Sequence, residues 1–296
     1  MDYVAELKGM RKQHDFIICF DSDGCVFDTM ELKHKECFCP AFIKHMGLQA
    51  VSKYARETWD FVNLYSKMRG CNRFMGIKNT FDLLQTRPVF QDRGVRLPDC
   101  RAFENWLAHE TKLGNPALEA HMAKSGETSL QRFLDWSNEV NQRVEEMVHG
   151  VGPFPGVQET LVAAHGKADI MVVSQASLEA LTREWQEHGL DAYVQIIAGQ
   201  EHGTKAEHIR YATEGKAYGK ERVLMVGDAP GDLAAAHAID ALFYPILAGK
   251  EEESWANFVE EGLGRFFDGS FAGEYQTSLL DAFDQSLPEK PSWPDA

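Results

Sequence analysis

No stretch of this 296-residue sequence approaches the roughly 18 consecutive apolar residues that a membrane-spanning helix needs. The opening MDYVAELKGMRKQHDF mixes charges of both signs and lacks the apolar centre of a secretory signal, so no leader is expected. Basic charge is also short, with 30 Lys and Arg against 45 Asp and Glu, a formal net charge of -15. That balance argues against nucleic acid as a partner, because phosphate backbones call for a basic face. A small anionic ligand stays compatible, since a local basic pocket can sit in an acidic protein. Cysteine is sparse and one-sided: Cys19, Cys25, Cys37, Cys39, Cys71 and Cys100, with none beyond. Thiols scattered in this way fit a reducing cytoplasm better than a disulfide framework. Cys37 and Cys39 form a C-x-C pair, but no second ligand pair at zinc-like spacing accompanies them. Internal repeats and low-complexity tracts are missing too, which leaves an ordinary globular chain long enough to bury a proper core.

What is present is organised around Phe16 to Thr29, FIICFDSDGCVFDT. Five apolar residues suit a strand buried on both faces of a parallel sheet. Asp21 and Asp23 follow at alternate positions, Gly24 permits a sharp turn, and Asp28 with Thr29 reads as a helix start. Carboxylates are thereby placed at the carboxyl edge of a strand, where ligands bind in open α/β sheets.

Before this stretch, Tyr3 to Gln13 reads as one short helix with Val4, Leu7 and Met10 on a common stripe. After it, residues 30–150 have apolar positions at three- and four-residue intervals and few β-branched runs, the pattern of a helical domain. From Val151 the texture changes to βα alternation. VGPFPGVQETL supplies a linker and a helix start, and strands are predicted over 169–173, 193–197, 222–226 and 242–246. Helices are predicted over 178–188, from about Lys205, and over 233–238, with two amphipathic helices over 254–283. The expected fold is α/β, a Rossmann-like doubly wound parallel sheet with an inserted all-α domain. Residues 1–29 and 151–296 would form the core and 30–150 the insertion.

Four pieces then fall on one edge of the sheet: Asp21 with Asp23, Ser174, Lys205, and Asp228 with Asp232. Phosphoryl transfer uses these types of group. One carboxylate acts as nucleophile and another as acid and then base. Further carboxylates suit Mg2+, while a hydroxyl and an ammonium hold phosphate oxygens. Each residue alone has a plainer reading, as a turn former, helix cap or solvated lysine. Their agreement in order and position is what carries weight.

The ordered set resembles the haloacid dehalogenase superfamily. DSDGCVFDT looks like its first motif, VVSQ its second, the lysine of GTKAEHI its third, and GDAPGD its fourth, while PFPGVQETL resembles the return from a helical cap. The resemblance implies Asp21 as nucleophile, Asp23 as acid and base, and Ser174, Gln175 and Lys205 as phosphate-binding groups. Mg2+ is implied on Asp21, the backbone carbonyl of Asp23 and Asp228, with Asp232 as a further ligand or as a carboxylate just behind the ligands. Asp23 sets the reading apart from dehalogenases, which lack a second aspartate. The function implied is hydrolysis of a small phosphorylated metabolite in the cytoplasm. A phosphomutase acting on a sugar phosphate and a non-catalytic binding protein are the alternatives. In the cap, Lys67, Arg69, Asn72 and Arg73 are substrate-binding candidates, with Arg69 and Arg73 spaced to share a helix face. His202 and His208, six apart, are expected on the surface. Lys220 competes with Lys205 but precedes a strand, at the opposite edge. The sequence leaves the oligomeric state open.

Overall fold

The computed structural model describes residues 2–293. By their internal contacts these residues form two compact units, 2–30 with 150–287 and 31–149 with 288–293.

The first unit is built on a five-stranded, all-parallel sheet. Its strands are β1 (Phe16–Phe20), β2 (Ala168–Val173), β3 (Ile196–Ala198), β4 (Val223–Gly227) and β5 (Leu242–Pro245), in the order β3-β2-β1-β4-β5. The runs FIICF, ADIMVV and VLMVG stay almost fully buried because helices cover both faces. Side chains alternate across the sheet. Ile18 and Phe20 enter one core with Val157, Leu161, Trp185 and Trp255. Ile17 and Cys19 enter the other with Leu7, Ile209, Ala212 and Phe283. The doubly wound arrangement expected from the βα alternation is therefore present.

Asp169 is the one acidic residue inside these strands, and it is fully buried. It accepts hydrogen bonds from the backbone N–H of Gln13 (3.0 Å) and His14 (3.2 Å), from Gln195 Nε2 (2.5 Å), and from the Tyr218 hydroxyl. Burial alone would raise this carboxyl, but its donors hold it below the usual carboxylate range. The network ties the lead into β1 to the starts of β2 and β3.

Element boundaries differ from expectation where local caps intervene. The strand expected over 193–197 is β3, because Asp191–Tyr193 form a 3-10 turn. The first helix is Tyr3–Gly9, shorter than predicted. The helix expected over 233–238 runs Pro230–His237, since proline fits the first helical turn.

The second unit has helices and no strand among its described residues, with Cys39–Met46, Ser52–Leu64, Arg73–Gln85, Arg101–His109, Asn115–Ser125 and Gln131–Met147 as its main helices. Aromatic side chains dominate its core. Trp59 lies 4.8 Å from Phe42 and 6.0 Å from Trp136, while Phe103 stacks on Phe133 at 3.8 Å between ring centroids. Residues 288–293, expected with the α/β domain, pack here instead. The Pro288 carbonyl accepts the Lys67 N–H (3.3 Å), and the Trp293 ring meets the Arg87 guanidinium (4.4 Å) and Phe61 (5.5 Å). No helix of the described residues is long and apolar enough to cross a membrane.

Candidate active site

Strand register decides which side chains meet. Phe20 on β1 is level with Val172 on β2 and Val226 on β4. Asp21 thus follows directly at the carboxyl edge, and its N–H donates to the Val226 carbonyl (2.9 Å). Ser174 and Asp228 each lie one residue past the end of their own strands. Lys205 is placed by a capping box: Thr204 Oγ1 accepts the Glu207 N–H (3.3 Å), and Glu207 Oε2 accepts the Thr204 N–H (2.9 Å). That fixes the start of helix Lys205–Thr213 and aims the ammonium at the sheet edge.

Lys205 Nζ lies 2.8 Å from Asp21 Oδ2 and 2.6 Å from Asp232 Oδ1. Asp21 Oδ1 accepts the N–H of Ser22 (2.8 Å). Asp232 Oδ2 accepts the N–H groups of Asp228 (3.2 Å) and Ala229 (3.0 Å). Asp232 sits so close to β4 that a Cβ on residue 227 would come within 2.5 Å of it, so Gly227 is required there. Gly24 has φ 75°, which lets Gly24 N–H bond the Phe27 carbonyl (2.9 Å) and close the loop after Asp23. Asp23 Oδ1 accepts a short hydrogen bond from Thr29, which fixes its carboxyl on that loop.

Asp21, Asp228 and Asp232 are all buried, and one carboxylate oxygen from each lies within 4.8 Å of the others. Burial, and next the charge of Asp232, push the Asp21 carboxyl up to about 6, against the pull of Lys205. Asp232 is raised as well, first by burial. Burial would lower Lys205, but its two carboxylate partners hold it firmly protonated. Two of these buried carboxylates share the Lys205 ammonium, and the three together offer hard oxygen donors. The donor set suits a divalent cation such as Mg2+.

Ser174 is buried, donates its N–H to Ala198 (3.0 Å), and accepts the Ala176 N–H on its hydroxyl (3.2 Å). Gln175 is turned aside, its Nε2 donating to the Gly203 carbonyl (2.9 Å). Lys220 is exposed and meets Asp240 (3.3 Å). Among the helical-unit candidates, Arg69 lies in a turn and Asn72 caps the next helix, accepting the Phe74 N–H (3.0 Å), so Arg69 and Arg73 do not share a helix face. Arg69 is buried and donates to the Leu64 carbonyl (2.8 Å). Arg73 donates to Asn141 Oδ1 (2.6 Å) and Ser137 Oγ (3.1 Å), joining two helices of its own unit. Lys67 is partly buried in the same turn.

His202 and His208 are not surface residues. Both are buried, with ring centroids 5.9 Å apart, because the 3-10 turn Gln200–His202 folds back against helix Lys205–Thr213. Sequence reasoning also passed over Ser22, which is fully buried between the two motif aspartates. Its hydroxyl donates to Glu184 Oε2 (3.2 Å) and accepts Trp185 Nε1 (3.1 Å). A serine amid D-x-D was the available signal, but its partners are more than 160 positions away.

The sequence model of the haloacid dehalogenase-like hydrolases matches residues 103–244, a stretch containing Ser174, Lys205, Asp228 and Asp232. No curated protein sequence matches the chain. Among solved structures, a putative haloacid dehalogenase-like hydrolase from Bacteroides fragilis is similar at 15% identity and TM-score 0.49, covering 81% of this chain and 92% of that one. A superfamily hydrolase of subfamily IA from Geobacter sulfurreducens shows 16% identity and TM-score 0.42, covering 79% and 88%. The family match takes in β2 to β5, and β1 pairs between β2 and β4 to complete their sheet with Asp21 at its edge. Over residues 103–244, just under half of its length, the chain is similar to the haloacid dehalogenase-like hydrolases.

Proposed function

We propose that this protein is a Mg2+-dependent phosphatase that hydrolyses a small phosphorylated metabolite through a phospho-aspartate on Asp21. The observation that carries the reading is the pairing of Asp21 with Lys205, beside two further buried carboxylates. A second carboxyl, Asp23, lies two residues on along the same loop.

In this mechanism an Asp21 carboxylate oxygen attacks phosphorus while the bond to the leaving oxygen breaks. Asp23, entering as the acid, gives that oxygen its proton. Asp23 then takes a proton from water, the water oxygen attacks phosphorus, and the bond to Asp21 breaks to release phosphate. Asp23 ends protonated, ready for the next cycle. Lys205 keeps Asp21 ionised and offsets phosphate charge, and Ser174 donates to a phosphate oxygen. Asp21, Asp228, Asp232 and the Asp23 carbonyl would hold Mg2+, which supplies charge neutralisation for the phosphoryl oxygens. We assign residues 31–149 the role of cap and 2–30 with 150–287 that of catalytic core. We place the protein in a reducing compartment such as the cytoplasm, a reading supported by the irregular scatter of its six cysteines along the sequence.

Phosphate release from a panel of phosphate esters, with Mg2+ and with excess chelator, tests the reading. Release that needs the metal and vanishes in Asp21→Asn is expected. Release that persists in Asp21→Asn would rule out the covalent route.

A further inference from the structure

The loop bearing Asp21 and Asp23 is fastened by more than its own turn. Ser22 donates its backbone N–H to Asp21 Oδ1 (2.8 Å), while its carbonyl accepts the N–H groups of Val26 (2.9 Å) and Phe27 (3.0 Å). Its side chain points the other way, into helix Leu178–Glu187, where it accepts Trp185 Nε1–H and donates to Glu184 Oε2. Trp185 is itself fully buried and meets Phe27 edge to face, with ring centroids 5.8 Å apart. The helix therefore grips the loop at both ends of its turn.

We propose that Ser22, held by Trp185 and Glu184, is a positioning residue that fixes the orientation of the nucleophile Asp21. The inference deepens the phosphatase reading and rests on it. The physical argument is one of fixed partners. A serine hydroxyl has one proton and here uses it on Glu184, leaving its lone pairs for the indole N–H. With both partners engaged, the side chain has one favoured rotamer, which fixes the peptide plane carrying the N–H that holds Asp21 Oδ1. Lys205 holds Oδ2, so the carboxylate is clamped from two sides. Alanine at position 22 leaves a buried indole N–H unsatisfied and frees the loop to tilt. A displacement of about 1 Å at a reacting group is enough to cost up to about a hundredfold in rate.

The test combines kinetics with one spectroscopic signal. With p-nitrophenyl phosphate and Mg2+, Ser22→Ala and Trp185→Phe are each expected to lower kcat about tenfold or more with KM little changed. The double variant should lose little beyond the larger single loss, because both remove the same clamp. Ser22→Thr, which keeps the hydroxyl, should recover part of the rate. In the 1H–15N spectrum, the Trp185 indole cross-peak, identified by its absence from Trp185→Phe, should shift in Ser22→Ala and in Asp21→Asn. Wild-type kcat in Ser22→Ala, or an indole peak indifferent to Asp21→Asn, would overturn the inference. Loss of rate in every variant in proportion to its loss in melting temperature would overturn it as well. Should the wild type release no phosphate, the phosphatase reading falls. The indole arm then decides alone whether Ser22 couples Asp21 to the helix.

Discussion

Lys205 shows how much one residue can be asked to do. Its ammonium bridges Asp21 and Asp232, two buried carboxylates that would otherwise repel each other. Lys205→Met is therefore expected to lower kcat by about a hundredfold or more, as removal of a preorganised charge partner does. It should also destabilise the fold by about 3–5 kcal/mol at pH 7, because it strands buried charge. Paired kinetics and urea melts check both numbers, and a full-rate variant would contradict the assignment. Lys205 was picked out in the sequence as the lysine of GTKAEHI opening a helix in a stretch of βα alternation, and the capping box that fixes that helix start emerged with the structure. Asp21 and Asp228 were legible for a related reason: each follows an apolar run that could only be a buried strand. Ser22 was not, since a serine's meaning there depends on a tryptophan brought close by the fold. Arg73 resisted for the opposite reason. Its charge suggested a ligand, whereas Asn141 and Ser137 take up its guanidinium.

At the scale of elements, helix Lys205–Thr213 carries a buried histidine as well as the site lysine. His208 is fully buried, and burial, followed by the nearby His202, lowers its pKa from 6.5 to about 4. Lys205 lowers it further, while Glu207 opposes the shift. The sign follows from linkage. Its folded pKa lies below its unfolded value, so the unfolded chain takes up the proton first as pH falls. The contribution is complete above pH 6.5 and is lost between about 6.5 and 4, by roughly 3 kcal/mol in all. Urea melts at pH 7.5 and 4.5 should show this loss, and His208→Gln should reduce the pH dependence by about that amount. An identical pH dependence in the two proteins would contradict the burial argument. The sequence hid this because a separation of six residues in one helix puts side chains on different faces. A 3-10 turn ahead of the helix removes that restriction.

Over the whole molecule, the two units differ in what holds them. The α/β unit buries apolar side chains on both sides of a sheet, one side rich in aromatics such as Trp185, Trp255 and Phe258, and the helical unit packs its helices around a single mixed aromatic and aliphatic core. The division was visible as a change of period, from three- and four-residue spacing to alternating strands and helices. The placement of the tail was not, because SLPEKPSWPDA has a composition that says only that it ends on a surface. Truncation after Leu287 removes the Trp293 contacts with Arg87 and Phe61 and the Pro288 hydrogen bond. It is expected to destabilise the helical unit by about 1–2 kcal/mol, the sum of a cation–π and an edge-to-face contact. Denaturant melts followed by tryptophan fluorescence would register it, and an unchanged midpoint would count against a packing role for the tail.

The central claim is that Asp21 becomes phosphorylated and that Asp23 drives its hydrolysis. Acid-quenched turnover of 32P-labelled acetyl phosphate with Mg2+, followed by peptide mapping, tests it most directly. Label is predicted on the peptide containing Asp21, accumulating in Asp23→Asn and absent from Asp21→Asn. Label on any other residue, or steady phosphate release from Asp21→Asn, would contradict the account.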